Sequence, residues 1–149
     1  MARVVVQRVR SASVDVGDER VASIGAGCAI LVGIADGDTV SAVDRLADKV
    51  AVLRIFGDEA GNMNRSAAEV GGDMLVVSQF TLYGDVRKGR RPSFVRAARP
   101  DLGEQLYQRF IQRLIYHGYR VACGRFGAHM VITLQNDGPV TLIVDSSEL

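Results

Sequence analysis

The sequence predicts an α/β fold in which a curled, barrel-like mixed sheet forms two β layers and two main helices pack on one face. Short β-branched runs punctuated by glycine occupy both ends of the chain and indicate strands. Two longer stretches repeat apolar residues every three or four positions, as amphipathic helices do. Two helices cannot cover both faces of so wide a sheet, so we expect the strands to curl or split into two layers. A length of 149 residues predicts a single domain over residues 1–149.

The first part of the chain predicts four strands, at residues 3–9, 12–16, 20–24 and 27–34. Each run is short and rich in β-branched residues, and Gly25-Ala26-Gly27 separates the last two. Such punctuation is typical of a hairpin or a meander.

A change of periodicity after residue 38 predicts the first helix, with Asp38 or Thr39 as its N-cap. The apolar stripe of this helix consists of Val40, Val43, Leu46, Val50 and Leu53. Pro100 suits the first turn of a second helix, and Gly118 suits its end. The apolar stripe of the second helix consists of Leu102, Leu106, Phe110 and Leu114.

The remaining segments predict shorter elements. Residues 57–62 read as a loop, residues 73–78 as a buried strand and residues 93–98 as a short helix. Three further strands are predicted at residues 120–124, 130–134 and 140–144. Gly138-Pro139 separates the last two because proline cannot donate to a sheet ladder, so we expect the backbone to leave the ladder there.

Composition argues against several classes of protein. No apolar run is long enough to span a membrane, and the first residues lack the features of a signal peptide. Cys28 and Cys123 lie in apolar, strand-like sequence, which favours reduced thiols over a disulfide. We therefore expect a cytoplasmic protein that does not contact membranes.

The formal net charge of +1 conceals a local excess of basic residues. Between residues 87 and 99, no acidic residue interrupts the series Arg87, Lys88, Arg90, Arg91, Arg96 and Arg99. Such a run is either a solvated loop or a phosphate-binding patch on an otherwise neutral protein.

The sequence predicts neither a metal site nor a cofactor. His117 and His129 are the two histidines, and neither has a cysteine or an acidic residue at ligand spacing. Ser78 and Thr81 are candidate nucleophiles, but neither lies in a G-x-S-x-G elbow, and a histidine base would have to come from elsewhere in the fold. The alternative is that both hydroxyls satisfy backbone groups at the end of a strand.

Two segments remain that can form a site from backbone groups. Ser78-Gln79-Phe80-Thr81 ends the predicted strand at 73–78, where amides become free to stabilise an oxyanion. Gly138-Pro139 offers carbonyls at a second surface. Together they predict electrostatic chemistry on an acyl group, with little conventional acid or base equipment.

At these residues the chain resembles the D-aminoacyl-tRNA deacylases, formerly called D-Tyr-tRNA deacylases. Ser78-Gln79-Phe80-Thr81-Leu82 matches the first motif of that family, and Asn136-Asp137-Gly138-Pro139-Val140-Thr141 matches the second. Further matches are Gln7-Arg8-Val9, Arg91-Pro92-Ser93-Phe94 and Phe126-Gly127-Ala128-x-Met130. The resemblance spans nearly the whole chain.

The resemblance implies a homodimer that hydrolyses the ester of D-aminoacyl-tRNA, and also of glycyl-tRNA, to free tRNA and amino acid. It implies that a cis Gly138-Pro139 step enters the pocket of the partner subunit. There the two carbonyls accept from the substrate's amino group and leave no room for an L side chain. Arg8 would help to orient this step, and Met130 would contact the substrate.

The first motif allows two mechanisms. The resemblance makes Thr81 a candidate nucleophile, although a hydroxyl without a base is weak at neutral pH. We therefore expect instead that the amides of Phe80 and Thr81 hold the ester carbonyl while the 2′-hydroxyl of the terminal ribose assists. Ser78 and Gln79 would orient substrate or water.

The basic segment gains a function in the same interpretation. Phosphates of the tRNA acceptor stem would be held, without reading of bases, by Arg87, Lys88, Arg90 and Arg91. Two other hypotheses remain open. One is a module that binds the end of tRNA without catalysis, and the other is a small esterase that acts on free acyl metabolites.

Overall fold

The computed structural model describes residues 1–149. The strands are β1 (Arg3–Val16), β2 (Glu19–Ile24), β3 (Gly27–Gly33), β4 (Phe56–Gly57), β5 (Met63–Arg65), β6 (Asp73–Ser78), β7 (Val121–Cys123) and β8 (Val131–Asp145). The helices are α1 (Val40–Val52) and α2 (Pro100–Tyr116), and 3₁₀ turns lie at Phe80–Tyr83 and Ser146–Glu148. No helix is both long enough and apolar enough to cross a membrane.

Six strands form one mixed sheet in the order β2-β1-β3-β6-β7, and β8 pairs with β1. β1 is antiparallel to β2, β3 and β8, whereas β6 is parallel to both β3 and β7. Parallel neighbours need a crossover connection, and α1 and α2 lie in the two crossovers. Both crossovers advance across the sheet in the same direction, so their common handedness places both helices on one face.

Two apolar clusters fill the two faces of the sheet. The larger contains 23 buried residues and joins Val6 and Ile30 of the sheet to Leu46 of α1 and Phe110 of α2. The smaller contains eight buried residues inside the curl of the sheet, including Val14. β2 contacts β6 and β7 across this second cluster, so the sheet closes nearly to a barrel. The predicted α/β class, with a curled sheet and helices on one face, is confirmed.

The helix ends follow the predicted signals. Thr39 is the N-cap of α1, and its side chain accepts from the Ala42 amide at 3.1 Å. Pro100 is the first residue of α2, and Gly118 follows the helix with a φ of 94°. A glycine is favoured there because other residues rarely adopt that conformation.

Ion pairs join the exposed sides of α1 and α2. Arg109 Nε lies 2.7 Å from Asp44 Oδ1, and Arg113 Nε lies 2.7 Å from Asp48 Oδ1. His117 Nε2 also lies 2.7 Å from Asp48 Oδ1. The hydrogen bond from Arg113 is the main cause that lowers the pKa of Asp48 to about 2.

Three predicted boundaries were wrong. β1 runs without a break from Arg3 to Val16, because the polar residue Ser11 pairs with Gln135 of β8 and does not form a turn. The predicted loop at 57–62 joins β4 and β5, two short strands that were missed. β8 is likewise one strand where two were predicted, although its ladder with β1 is interrupted at Gly138-Pro139, as the sequence predicts.

The short helix predicted at residues 93–98 does not form. Ser93 exchanges backbone hydrogen bonds of 2.8 and 2.7 Å with Asp85, and Ala97 bridges Ala35. These bridges hold the segment in an open, non-helical path over the surface. The path brings Phe94 towards the end of β6, where the candidate site begins.

Candidate active site

The site starts at Ser78, the last residue of β6. Residues 74–77 of this strand are buried, and β3 and β7 flank it on both sides. The chain leaves the sheet at Gln79, whose amide donates to the Val32 carbonyl at 2.8 Å. It then enters the 3₁₀ turn Phe80–Tyr83. A central strand therefore anchors the first motif.

Two backbone amides of the turn are available to a ligand. The first amides of a 3₁₀ turn have no partner within it, and those of Phe80 and Thr81 donate to no protein oxygen. By contrast, the Leu82 amide donates to the Gln79 carbonyl at 3.3 Å, and the Gly84 amide donates to the Thr81 carbonyl at 2.9 Å. The two unpaired donors have the chemistry of an oxyanion hole.

The Thr81 hydroxyl is held by a neighbour and not by a base. Gln79 Nε2 donates to Thr81 Oγ1. No histidine or carboxylate makes a hydrogen bond to this hydroxyl. Because the amide of Gln79 cannot remove a proton, this geometry does not activate Thr81 as a nucleophile.

A cavity of about 580 Å³ opens beside the turn. It is lined by Ser78, Gln79, Phe80 and Met130 from the predicted site, together with Phe94, Phe126 and further mostly apolar residues. The rings of Phe80 and Phe94 meet edge to face, with centroids 5.1 Å apart. His129 is the one titratable side chain in the lining. The volume lies in the range of small-molecule sites.

The Gly138-Pro139 segment forms a loop that leaves the β1–β8 ladder. Gln7 pairs with Thr141 and Val9 pairs with Asn136, so residues 137–140 bulge out between these pairs. The Gly138–Pro139 peptide bond is cis. Both residues are exposed, and neither lines the cavity. Within one chain, the structure does not bring this loop to the first motif.

Arg8 holds the base of the 137–140 loop. Its Nε donates to the Asp137 carbonyl at 3.0 Å, and its Nη1 donates to the Ile55 carbonyl at 2.7 Å. The Asp137 carboxylate also lies 3.7 Å from Arg8 and 3.5 Å from Arg10. The side chain of Arg8 is only 16% exposed, so its position is fixed by packing as well as by these bonds.

The D-Tyr-tRNA(Tyr) deacylase family model matches residues 5–145. The chain belongs to this family. A D-aminoacyl-tRNA deacylase of Symbiobacterium thermophilum is 57% identical over 146 residues, which cover 98% of this chain and 97% of the relative. Another of Brevibacillus brevis is 58% identical over 144 residues, covering 97% and 99% of the two chains. The resemblance seen in the sequence is confirmed.

Two solved structures share the fold of this chain. One, described as c-Myc DNA Unwinding Element Binding Protein, has 39% identity and a TM-score of 0.89, and the match covers 96% of this chain and 97% of that one. A second, described as a probable eukaryotic D-amino acid tRNA deacylase, has a TM-score of 0.84. At 23% identity it supports the fold alone. The deacylase family is a hydrolase family, and the chain is an enzyme of this class.

The basic segment of this deacylase-family chain lies outside the cavity. Arg87 is bound by Asp85, with Nη2 2.7 Å from Oδ2, and this hydrogen bond is the main cause that lowers the pKa of Asp85 to about 2. Lys88, Arg90 and Arg91 are exposed and form no ion pair. Their positive charges are therefore more available than that of Arg87.

The cysteines and His117 lie apart from the motifs shared with the family. Cys28 and Cys123 are both free thiols, as the sequence predicts. Burial raises the pKa of Cys28 to about 12, which leaves it a core residue. His117 contacts Asp48 at the helix interface. No cluster of three His, Cys, Asp or Glu side chains has the arrangement of a metal site.

Four residues of the site were missed as individual candidates. Phe94 and Phe126 line the cavity, and Asn136 and Gln7 make hydrogen bonds at the base of the 137–140 loop. All four lie in segments that match deacylase-family motifs, and membership of those motifs was the one feature of the sequence that could have identified them. Their roles depend on contacts between distant parts of the chain, which the motifs do not show.

Proposed function

We propose that this chain hydrolyses the ester between a D-amino acid and the terminal adenosine of tRNA, which releases tRNA and the free amino acid. The observation that carries the proposal is the pair of unpaired amides, of Phe80 and Thr81, beside a cavity in a chain of this family. Relatives more than half identical over nearly their whole length carry the name D-aminoacyl-tRNA deacylase.

The chemistry follows from the positions of the donors. Water attacks the ester carbonyl carbon, and the carbonyl oxygen becomes an anion that the Phe80 and Thr81 amides stabilise. The bond to the ribose oxygen then breaks, and the leaving oxygen takes the proton that the attacking water gives up. Thr81 does not act as the nucleophile in this proposal, because the protein places no base against its hydroxyl. The neighbouring 2′-hydroxyl of the ribose assists instead. Ser78 and Gln79 orient substrate or water at the cavity wall.

Chiral selection needs a second copy of the chain in this proposal. Gly138 and Pro139 lie on an exposed loop and do not line the cavity of their own chain. In a homodimer, the loop of one copy enters the cavity of the other. Its carbonyls accept from the substrate's amino group, and an L side chain clashes with the loop. Glycyl-tRNA is a second substrate because glycine has no side chain to reject.

The tRNA contacts complete the proposal. Lys88, Arg90 and Arg91 hold phosphates of the acceptor stem, with Arg87 less available because Asp85 binds it. The segment that carries them also places Phe94 in the cavity wall, so the phosphate contacts lie in continuity with the site. The 149 residues act as one domain in the cytoplasm, where charged tRNA is used.

The deciding experiment compares D-Tyr-tRNA with L-Tyr-tRNA as substrates of the purified protein, with and without EDTA. We expect rapid loss of the D-ester alone, unaffected by EDTA. Equal rates on both esters would refute chiral editing. Binding of both without turnover would instead support the module that binds the tRNA end.

A second comparison separates the two hypotheses for Thr81. We expect Thr81→Ala to keep turnover, because its amide remains, and a substrate ending in 2′-deoxyadenosine to react much more slowly. Loss of turnover with retained binding, together with a covalent adduct on Thr81 in the unaltered protein, would establish the nucleophile mechanism.

A further inference from the structure

The side chain of Asn136 joins the two ends of the 137–140 loop. Its Nδ2 donates to Gln7 Oε1 at 2.8 Å and to Thr141 Oγ1 at 2.9 Å. Its Oδ1 accepts from the Val140 amide at 3.1 Å. The Thr141 hydroxyl donates to the same Gln7 oxygen at 3.4 Å. Asn136 therefore links the residues before and after the loop to each other and to β1.

Asn136 both donates and accepts in this arrangement. Its two N–H groups face oxygens and its oxygen faces the Val140 N–H, so the opposite orientation of the amide would lose the bond to Val140. An aspartate could still accept from Val140 and Thr141, and from Gln7 if the Gln7 amide turned to present Nε2, so it would not remove the set. Asn136→Ala removes all three bonds and adds no charge.

Backbone pairing cannot hold the loop in place of this side chain. The ladder passes from the Gln7–Thr141 pair to the Val9–Asn136 pair, and residues 137–140 have no partner strand. Arg8 holds one end of the loop through the Asp137 carbonyl at 3.0 Å. Asn136 holds the other end through the Val140 amide. Gly138 and Pro139 lie between these two anchors.

We infer that Asn136, held by Gln7 and Thr141, is a positioning residue that sets how far the loop projects and thereby controls chiral discrimination. The inference rests on the proposed function, in which the loop reads the substrate's amino group. Asn136 itself contacts no substrate. The amides that hold the ester carbonyl lie on another element, so a looser loop admits L-substrates more than it slows hydrolysis of D-substrates.

The test measures rate constants for D-Tyr-tRNA and L-Tyr-tRNA with four variants. We expect Asn136→Ala to lower the D-over-L ratio at least about tenfold, mainly through faster hydrolysis of the L-ester. Thr141→Val should lower the ratio by a smaller factor of about three, and Thr141→Ser, which keeps the hydroxyl, should restore it. Ser11→Ala is the matched control. It removes a side-chain hydrogen bond between β1 and β8 that is 3.5 Å long and does not involve the loop.

The outcomes separate this inference from the proposed function. If the unaltered protein does not prefer the D-ester, the proposed function itself fails. If it does, and Asn136→Ala changes the ratio by less than about twofold, only the inference is overturned. Thermal melting shows whether each variant is folded. Should Asn136→Ala not fold, equal ratios for Thr141→Val and Thr141→Ser overturn the inference, and unequal ratios support it.

Discussion

Replacement of Gly138 by alanine is the sharpest perturbation of the 137–140 loop. A Cβ at this position would lie 2.9 Å from Val140 Cγ2 and 3.0 Å from Arg8 Nη2. The φ angle of Gly138 is 127°, a conformation that L residues rarely adopt. The substitution therefore forces the loop to move, although the loop itself is exposed.

The size of the effect can be worked out from these distances. Ordinary contact begins at 3.4 Å, so the 2.9 Å approach to Val140 requires a shift of 3.4 − 2.9, or about 0.5 Å. If a misplacement of about 1 Å costs about 10²-fold, half of it costs about tenfold. We expect Gly138→Ala to lower the D-over-L ratio at least about tenfold. Backbone strain of about 1–3 kcal/mol should lower the melting temperature by several degrees.

The assay follows loss of the D- and L-tyrosyl esters of one tRNA with enzyme in excess, beside a melting curve. Gly61→Ala is the matched control, because Gly61 has a φ of 83° and nothing within 4 Å of an added Cβ. It should lose stability and keep selectivity. An unchanged ratio for Gly138→Ala, or equal losses of selectivity in both variants, would refute the reasoning.

Other parts of the molecule give predictions for stability, labelling and binding. Asp48→Asn removes the carboxylate that pairs with Arg113. Because the pair is partly exposed, we expect the free energy of unfolding to fall by about 0.5–1 kcal/mol at neutral pH, measured by thermal melting. With a folded pKa of about 2 for Asp48, this loss should fade as pH falls from about 4 to about 2. Cys28 should resist iodoacetamide until unfolding, since at pH 8 about one thiol in 10⁴ is ionised. Changing Arg90 and Arg91 to alanine should flatten the log–log salt dependence of tRNA affinity by about 0.9 per lost phosphate contact.

Each of these predictions has a contrary result. A melting deficit for Asp48→Asn that persists at low pH would show that the ion pair is not its cause. Labelling of Cys28 is best read in a Cys123→Ser variant, where rapid reaction of the folded protein would reveal local opening of β3. An unchanged salt slope for the double variant would place the tRNA backbone elsewhere.

Local chemistry allowed several structural features around the candidate site to be predicted. The Gly-Pro step indicated where the ladder is interrupted, because a missing N–H acts whatever the surroundings. The end of β6 was equally readable, since a buried apolar run stops at Ser78. Thr39 and Pro100 fixed the starts of the helices for the same reason, as each acts within its own first turn.

Features that depend on pairing between distant parts of the chain could not be predicted from the sequence. The polar pair Arg10-Ser11 resembles a turn, and only the presence of β8 beside it keeps β1 continuous. The segment at 93–98 contains residues that favour a helix, but its backbone bridges to Asp85 and Ala35 hold it in an extended path. The cavity likewise combines Phe80, Phe94 and Phe126, which no local pattern connects.

The pairing of β1 with β8 has a consequence for synthesis on the ribosome. Gln7 and Thr141 contact each other although 134 residues separate them in the chain. At about 5–20 residues per second, β1 waits on the order of ten seconds with one edge open before β8 emerges. A nascent chain stalled before β8 would already contain the 3₁₀ turn and its amides, but not the loop. Selectivity is therefore the last property that the growing chain can acquire.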